Sequence, residues 1–383
     1  MTIPVMRPWL GEEEAQAAAA AVASGWVAQG PRVARFEAAF AEALGAEHAV
    51  AVSSCTTALH LALIVAGIGP GDEVVAPSLS FIATMNAARY VGAEPAFADV
   101  DAATLNLVPD TIAPRLTGRT RAVIVPDQAG MPADLDAIRA LCEPRGIAVI
   151  EDAACAAGAV YQGRPAGATA SLATFSFHPR KLLTTGEGGM IVTPDADAAA
   201  RLRRLREHGM NVGAAERHAS QQPVIERYLE VGYNYRMTDV QAAIGLVQLA
   251  KLGRQIERRR ELAARYQRLL AGIPGLVTIR DPAYGTTNYQ SFWVMLPDSF
   301  PVSRDDLMRM LADAGVSARR GIMAAHLEPA YAGVLCPPLP VTERVTACSL
   351  ILPLFHELTE EEQDLIVSVI HAAAGIRQPV TSA

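Results

Sequence analysis

The sequence of 383 residues is 51% hydrophobic and 19% charged, which is typical of a folded globular protein long enough for two domains. Its net charge of −7 gives no basic footprint for nucleic acid. The five scattered cysteines lack the spacing of a disulfide framework or a zinc site. No apolar run reaches the ~18 residues of a membrane helix, and no secretory leader is apparent, so we expect a cytoplasmic protein without a metal site.

The first part of the chain predicts two helices and then a strand that leads into a third helix. Helices are expected over residues 12–24 and 31–44, each followed by a glycine. A short apolar strand over residues 48–53 then meets Ser54-Cys-Thr-Thr, a turn of small hydroxyl residues at a helix start. Such a turn can present backbone N–H groups and hydroxyls to a phosphate, or it can simply cap the helix. From these residues alone both interpretations stay open.

Strands and helices alternate from residue 73 to residue 150. This pattern predicts an α/β fold, with a mostly parallel sheet and helices on both faces. Because ligands of such sheets bind at the carboxyl ends of the strands, Thr56, Asp152 and Lys181, which all follow predicted strands, could share one pocket. Asp152 comes at the end of a buried strand, where a carboxylate needs a positive partner or a hydrogen-bond donor, unless it is an ordinary cap or loop residue.

A single lysine lies on the loop after the next apolar strand. Lys181 follows Pro179 and precedes a glycine-rich turn, between apolar runs at residues 172–177 and 190–193. It is either a solvated loop cation or a lysine that forms a Schiff base. A lysine is unusual in a chain that uses arginine almost everywhere, but the choice depends on the rest of the sequence.

The last third of the chain predicts a second, smaller domain. A long helix over residues 239–271, capped by Thr238, connects it to the first domain. Beyond it, a strand at residues 291–296 and helices at residues 304–314 and 360–373 indicate an α+β domain. We therefore divide the chain into a large domain of residues 1–250 and a small domain of residues 251–383, and we expect no ordered structure from Gln378 onward.

Several motifs occur in the order found in one known family. They are Gly30-Pro31, Ser53-Ser-Cys-Thr-Thr-Ala-Leu-His60, Glu151-Asp-Ala-Ala154, Ser176-Phe-His-Pro-Arg-Lys181, Gly186-Glu-Gly-Gly189 and Gly232-Tyr-Asn-Tyr-Arg-Met-Thr-Asp239. Over nearly its whole length the chain resembles the DegT/DnrJ/EryC1/StrS family of pyridoxal-phosphate sugar aminotransferases. The resemblance implies the aspartate-aminotransferase-like fold (fold type I) and a homodimer with its active sites at the interface.

The resemblance also implies roles toward pyridoxal 5'-phosphate. Lys181 would form the internal aldimine, Asp152 would pair with the pyridine nitrogen, and Phe81 and Ala154 would lie on the two faces of the ring. An anionic Asp152 keeps that nitrogen protonated, so the ring accepts the electrons left by a departing C–H proton, which Lys181 then shuttles. The other cofactor-binding residues that it implies are Cys55, Thr56, Thr57, Cys155 and Ser176, together with Asn234, which would reach the phosphate in the partner subunit. His178 is a candidate for a cofactor or sugar contact, although a structural, hydrogen-bonded histidine stays open.

Two positions depart from the family pattern. Cys155 stands where Gln or His is usual, near the cofactor's phenolic oxygen, and a thiol is a weak hydrogen-bond donor. Pro126-Asp127-Gln128 stands where Pro-Val-His is common, which changes the charge at the expected acceptor pocket. The residues that we expect near the substrate are Trp26, Asp127, Glu187, His326 and Glu328, although packing or capping roles stay open for Trp26, His326 and Glu328.

These features predict transfer of an amino group from glutamate to a keto-sugar carried on a nucleotide. Related dehydratases carry histidine at the position of Lys181, so the lysine favours amino transfer. Two alternatives stay open. One is amino transfer to a free cyclitol or another ketone without a nucleotide, which Asp127 would favour. The other is a regulatory protein that holds the cofactor without turnover, and this would need an effector-binding module or a basic face that the sequence does not show.

Overall fold

The computed structural model describes residues 2–213, 217 and 221–376 of the chain. The segment from Gln378 onward, for which no ordered structure is expected, lies outside these residues. The helices are α1 (Glu12–Ala23), α2 (Pro31–Leu44), α3 (Cys55–Val65), α4 (Ala83–Tyr90), α5 (Pro109–Ile112), α6 (Leu135–Cys142), α7 (Ala196–Leu205), α8 (Asp239–Leu270), α9 (Arg304–Asp313), α10 (Pro340–Cys348) and α11 (Glu360–Ala373).

The strands divide among three sheets. They are β1 (His48–Val52), β2 (Glu73–Pro77), β3 (Glu94–Ala98), β4 (Thr120–Pro126), β5 (Ala148–Asp152), β6 (Val160–Tyr161), β7 (Arg164–Pro165), β8 (Leu172–Ser176), β9 (Gly189–Thr193), β10 (Val277–Thr278), β11 (Gly285–Thr286), β12 (Phe292–Met295), β13 (Arg319–Arg320) and β14 (Ser349–Leu352). The large sheet has the order β1-β9-β8-β5-β4-β2-β3. Only β9 runs antiparallel to its neighbours, so the predicted mostly parallel α/β sheet is confirmed.

Helices cover both faces of the large sheet because its strands are apolar on both sides. On β4, Val123 and Val125 pack into one hydrophobic cluster with Ile138 of α6. Ile124, between them, points to the opposite face and packs with Leu59 and Leu61 of α3. In the sequence, strands that are buried on both faces are continuous runs of apolar, β-branched residues rather than alternations of apolar and polar residues.

The second domain contains an antiparallel sheet of order β10-β12-β14-β13. Its core includes residues from the second half of α8, such as Leu262 and Tyr266, and from α9 and α11. The N-terminal segment joins it: Ile3 is buried in that core and its N–H donates to Gly315 O at 2.8 Å. The division at residue 250 therefore falls inside one continuous helix, and the first few residues pack with the second domain rather than with the first.

Capping and close packing fix the two helices that matter most for the site. Ser54 caps α3, since its side chain accepts from Thr57 N, and Thr238 caps α8 in a capping box with Gln241. At the start of α3, Gly189 of β9 runs so close that a Cβ atom there would lie 2.5 Å from the backbone of Ser54. A glycine at this position allows the strand and the first turn of α3 to meet.

Candidate active site

A cavity of about 910 Å³ lies at the carboxyl ends of β4, β5 and β8. Its volume falls within the range of small-molecule sites, and it lies where open parallel sheets bind their ligands. Trp293, Arg319 and other residues of the second domain form part of its wall. The sequence-predicted residues that line it are Cys55, Thr56, Phe81, Asp127, Asp152, Ala154, Cys155, Ser176, His178, Lys181 and Glu187.

Asp152 is a buried carboxylate that receives hydrogen bonds from neutral donors. It ends β5 and is 6% exposed. Thr84 of α4 donates to its Oδ2 at 2.9 Å, and Ala154 N donates to its Oδ1 at 3.3 Å. Burial raises the pKa of Asp152, against the opposing effects of the Thr84 hydrogen bond and the Lys181 charge. A carboxylate in this position would be stabilised by a protonated ring nitrogen.

Lys181 extends into the same cavity from the loop between β8 and β9. Its Nζ donates to Cys155 Sγ at 3.0 Å. Burial lowers the pKa of Lys181, but Cys155, Cys55 and Asp152 raise it, and the net shift is upward. The Lys181 charge in turn lowers the pKa of Asp152. The amine and the carboxylate that the sequence singled out are therefore electrostatic neighbours in one cavity.

Gln290 fixes the loop that carries Lys181. Its Nε2 donates to Arg180 O at 2.6 Å and its Oε1 accepts from Leu182 N at 3.1 Å, so one amide holds the backbone on both sides of the lysine. Gln290 is itself held, because buried Arg259 of α8 donates to its carbonyl at 3.2 Å. The second domain thus positions the lysine of the first.

Gln290→Ala should lower the turnover number by about 10- to 100-fold, because a loosened loop misplaces the lysine amine. It should also lower the free energy of unfolding by ~1–3 kcal/mol, since the buried N–H of Leu182 loses its acceptor. Steady-state kinetics and thermal unfolding measure the two effects. Gln267→Ala is the matched control, since Gln267 donates to Ile279 O in the second domain, away from the cavity. Native turnover in the Gln290 variant would remove this residue from the mechanism.

The start of α3 forms the end of the cavity suited to a phosphate. Thr56 and Ser176 line it, and within the described residues the backbone N–H groups of Cys55 and Thr56 donate to no protein acceptor. A helix N-terminus with free N–H groups binds anions. Thr57 is placed differently from the expectation: its hydroxyl donates to Ser54 O at 2.8 Å and accepts from Ser54 N at 3.1 Å. Capping the helix keeps that hydroxyl out of the cavity.

The side walls of the cavity suit a flat aromatic ligand. Phe81 is 60% exposed at the cavity edge, which is unusual for a large apolar residue with no partner over it. Ala154 and Cys155 line the cavity after β5. His178 Nδ1 accepts from Arg180 N at 3.1 Å, and its Nε2 lies 3.9 Å from Glu187 Oε1. These contacts hold His178 and Glu187 at the rim.

Asp127 lies at the cavity, but its carboxyl group bonds into the protein. It is 2% exposed, its Oδ1 accepts from Ala133 N at 2.9 Å, and its Oδ2 is buried without a hydrogen-bond donor within the described residues. A side chain buried in this way presents almost no surface to an acceptor. Asp127 therefore gives no support to a free cyclitol as the acceptor.

Four other predicted residues lie outside the cavity lining. Trp26 packs over Gly30 before α2, and Asn234 is exposed beside Glu207. His326 Nδ1 hydrogen-bonds Ser78 Oγ at 2.6 Å, and Glu328 pairs with Arg320 at 3.2 Å. In a single chain these side chains do not reach the buried amine.

Several residues at the site were not predicted from the sequence, among them Thr84, Gln290 and Arg319. Thr84 had one usable signal, since it lies three residues after Phe81, where a hydroxyl would meet a neighbouring strand end. Gln290 and Arg319 had none, because they come from the second domain and meet the loop only through the fold.

The residues of the cavity fit pyridoxal phosphate. A buried carboxylate held by neutral hydrogen-bond donors, a half-buried amine, free N–H groups at a helix start and an exposed aromatic face match the cofactor's ring nitrogen, aldehyde, phosphate and ring. This cavity lies on a mostly parallel seven-stranded sheet followed by a smaller domain. The fold is that of the pyridoxal-phosphate-dependent transferases of fold type I, as predicted, and structural neighbours have been solved in the pyridoxal phosphate and pyridoxamine phosphate forms.

Comparison with known proteins gives the family. The model of the DegT/DnrJ/EryC1/StrS aminotransferase family matches residues 8–371. The chain therefore belongs to this family and is an aminotransferase, which confirms the resemblance found in the sequence.

Solved structures agree over nearly the full length. The aminotransferase TlmJ from Streptoalloteichus hindustanus is 39% identical, with a TM-score of 0.90 over 97% of this chain and 99% of that one. DesV from S. venezuelae, solved with a ketimine intermediate, is 36% identical, with a TM-score of 0.87 over 96% and 95%. DesI, solved with its TDP-sugar product, is 33% identical, with a TM-score of 0.87 over 98% and 94%.

Two features are absent from the described residues. None of their helices is long and apolar enough to cross a bilayer. No group of three or more His, Cys, Asp or Glu side chains among them is arranged to hold a metal ion.

Proposed function

We propose that the protein transfers the amino group of glutamate to a keto-sugar linked to a nucleotide. The observation that carries the proposal is the joint placement of Lys181 and Asp152 in one cavity at the strand ends. Relatives 33–39% identical over nearly the whole chain include DesI, which was solved with a TDP-sugar product. A cavity of about 910 Å³ leaves room for a sugar beside the cofactor.

The roles of the residues follow from their contacts. Bound in the cavity, pyridoxal phosphate would accept the electron pair that a departing C–H proton leaves behind. Asp152, oriented by Thr84, holds a proton on the pyridine nitrogen. Lys181 Nζ holds the cofactor in the resting enzyme and then moves the proton at the reacting carbon, while the first turn of α3 holds the phosphate. Cys155, whose Sγ lies 3.0 Å from Nζ, would face the cofactor in place of the usual amide or imidazole.

We also propose that the enzyme is a cytoplasmic homodimer. Several large apolar side chains are exposed close to Asn234, including Ile225 at 85% and Val231 at 86%. Exposed apolar patches of this kind mark interfaces between protein chains. Covered by a second copy, this surface would bring Asn234 toward the partner subunit's cavity. Light scattering on the purified protein measures the mass.

A half-reaction assay tests the proposed function. The protein loaded with cofactor is mixed with glutamate, and the cofactor's absorbance and the release of 2-oxoglutarate are followed. We expect glutamate to convert the cofactor to its amine form in one turnover. Keto-sugars linked to TDP, UDP or GDP, and the corresponding free ketones, are then added to the amine form. We expect at least one nucleotide-linked sugar to restore the original spectrum.

The same assay separates the alternatives. If a free cyclitol ketone restores the original spectrum and no nucleotide-linked sugar does, the result would favour amino transfer to a free cyclitol. If no amino donor converts the bound cofactor to its amine form, the result would favour a regulatory protein that holds the cofactor without turnover. No observation in the structure favours that second alternative.

A further inference from the structure

Two arginines at the cavity have no acidic partner. Arg180 comes directly before Lys181, and Arg319 begins β13, so the two side chains that line the cavity come from different domains. Within the described residues, no carboxylate lies within ion-pair distance of either guanidinium. Both residues are exposed and line the same cavity.

Acidic partners are available to arginines in this part of the molecule. Arg320, the residue after Arg319, pairs with Glu328 at 3.2 Å. The chain has more acidic than basic residues, 40 against 33, so acidic partners are not scarce. Arg180 and Arg319 nevertheless lie unpaired at one opening, where both can meet a ligand.

The two guanidinium groups feel each other's charge. Partial loss of water at the cavity wall and the positive charge of Arg180 both lower the pKa of Arg319. Burial lowers the pKa of His178, Glu187 raises it, and the charges of Arg180 and Arg319 lower it further. Glu187 also lines the cavity, and its Oε1 lies 3.9 Å from His178 Nε2. Holding like charges together without a counter-ion is unfavourable, and a bound anion relieves the repulsion.

The base of Arg180 is rigid although its side chain is exposed. Its N–H donates to His178 Nδ1 at 3.1 Å and its carbonyl accepts from Gln290 Nε2 at 2.6 Å. Arg319 is held in β13 by its pairing with Ile351 of β14. Both guanidinium groups therefore start from fixed backbone positions, which lowers the entropy cost of binding a ligand between them.

We propose that Arg180 and Arg319 together bind the diphosphate of the nucleotide-linked acceptor. Guanidinium groups bind phosphate oxygens through paired hydrogen bonds, and two of them balance a diphosphate's charge. The two arginine side chains are more exposed than the half-buried Lys181, so their ligand lies farther out than the reacting carbon. A diphosphate, separated from the keto carbon by the sugar ring, meets this requirement, but the α-carboxylate of glutamate does not. This inference rests on the proposed function.

Binding of inorganic pyrophosphate to the cofactor-loaded protein tests the site, because the cofactor's own phosphate then fills the start of α3. Arg180→Gln, Arg319→Gln and the double variant are compared by calorimetry at fixed ionic strength. We expect each single variant to bind pyrophosphate at least tenfold more weakly and the double variant to show no binding. Arg344→Gln is the control, since Arg344 lies on α10 and pairs with exposed Asp298. We expect this variant to bind like the native protein.

Two further measurements keep the result interpretable. The rate at which glutamate converts the cofactor should stay within twofold in all variants. The melting temperature of Arg180→Gln should equal or exceed the native value, since the change removes a repulsion. Unchanged pyrophosphate binding in the double variant, or an equal loss in the glutamate half-reaction, would overturn the assignment. If the proposed function fails instead, no keto-sugar is aminated while the loss of pyrophosphate binding remains measurable.

Discussion

Lys181→Ala should lower the rate of amino transfer by about 10⁴-fold or more, since one substitution removes both the attachment point of the cofactor and the group that moves the proton. The fold should survive. Lys181 Nζ donates to Cys155 Sγ rather than to a carboxylate, and Asp152, whose pKa the lysine charge lowers, keeps its hydrogen bonds from Thr84 and Ala154 N. Initial rates with excess added cofactor, together with thermal unfolding, measure the two quantities.

The small number of lysines in the chain makes the result of this experiment easy to interpret. The sequence contains two lysines, Lys181 and Lys251. Lys251 pairs with Glu13 at 2.8 Å and Glu14 at 2.9 Å and so joins α8 to α1. Lys251→Arg keeps that charge and should retain native activity. Borohydride reduction of the loaded protein, followed by peptide mapping, should find the cofactor on Lys181 alone. A cofactor fixed on Lys251, or native turnover in Lys181→Ala, would refute the assignment.

The part of the site nearest to the strand ends was predictable. Asp152 and Lys181 follow β5 and β8, which are adjacent and parallel, so the rule that ligands gather at carboxyl ends was enough to bring them together. The start of α3 was predictable for the same reason, because its motif of small hydroxyl residues follows β1. Each of these predictions needed only local sequence and a known sheet topology.

Two kinds of contact could not be predicted from the sequence. In one, a side chain that could face the cavity bonds to the protein instead; in the other, a residue far away in the chain reaches the cavity only through the fold. Thr57 looked equivalent to Thr56, but the geometry of the capping box turns its hydroxyl back to Ser54. Arg319 reaches the cavity because the second domain folds over the sheet, and no local pattern records that contact. Asp127 follows the end of β4 as expected, yet it bonds inward because β5 places a second carboxyl group on the same face.

The pairing of Asp127 with Glu151 is buried on both sides. In the register of the sheet Glu151 lies opposite Val125, and Asp127, two residues on, shares its face. Gly167 N donates to Glu151 Oε1 at 2.9 Å, and Ala133 N donates to Asp127 Oδ1 at 2.9 Å. The second oxygen of each carboxyl group is buried and receives no N–H or hydroxyl donor within the described residues, and each group shifts the pKa of the other, so we infer that the two groups hydrogen-bond each other when one of them is protonated. Such a bond requires one shared proton.

The shared proton makes stability depend on pH. Burial and the neighbouring Glu151 raise the pKa of Asp127, and burial raises that of Glu151 to about 7. Between about pH 4 and pH 7 the folded protein therefore binds more protons than the unfolded chain, so the free energy of unfolding from this pair falls as the pH rises. Asp127→Asn supplies a permanent N–H donor to Glu151 and should flatten this slope. At pH 8 that variant should be at least as stable as the native protein.

Combining Asp127→Asn with Glu151→Gln should lower the free energy of unfolding by ~2–6 kcal/mol, although each change alone is tolerated. Each amide oxygen is committed to the backbone N–H of Ala133 or Gly167, so the two NH₂ groups must face each other without an acceptor. Rotating either amide by half a turn would give the other amide an acceptor, but it would then point an NH₂ group at the backbone N–H of Ala133 or Gly167. Urea unfolding at pH 8 of the native protein, the two single variants and the double variant gives the coupling energy between the two residues directly. Additive effects of the two substitutions would show that the carboxyl groups do not share a proton.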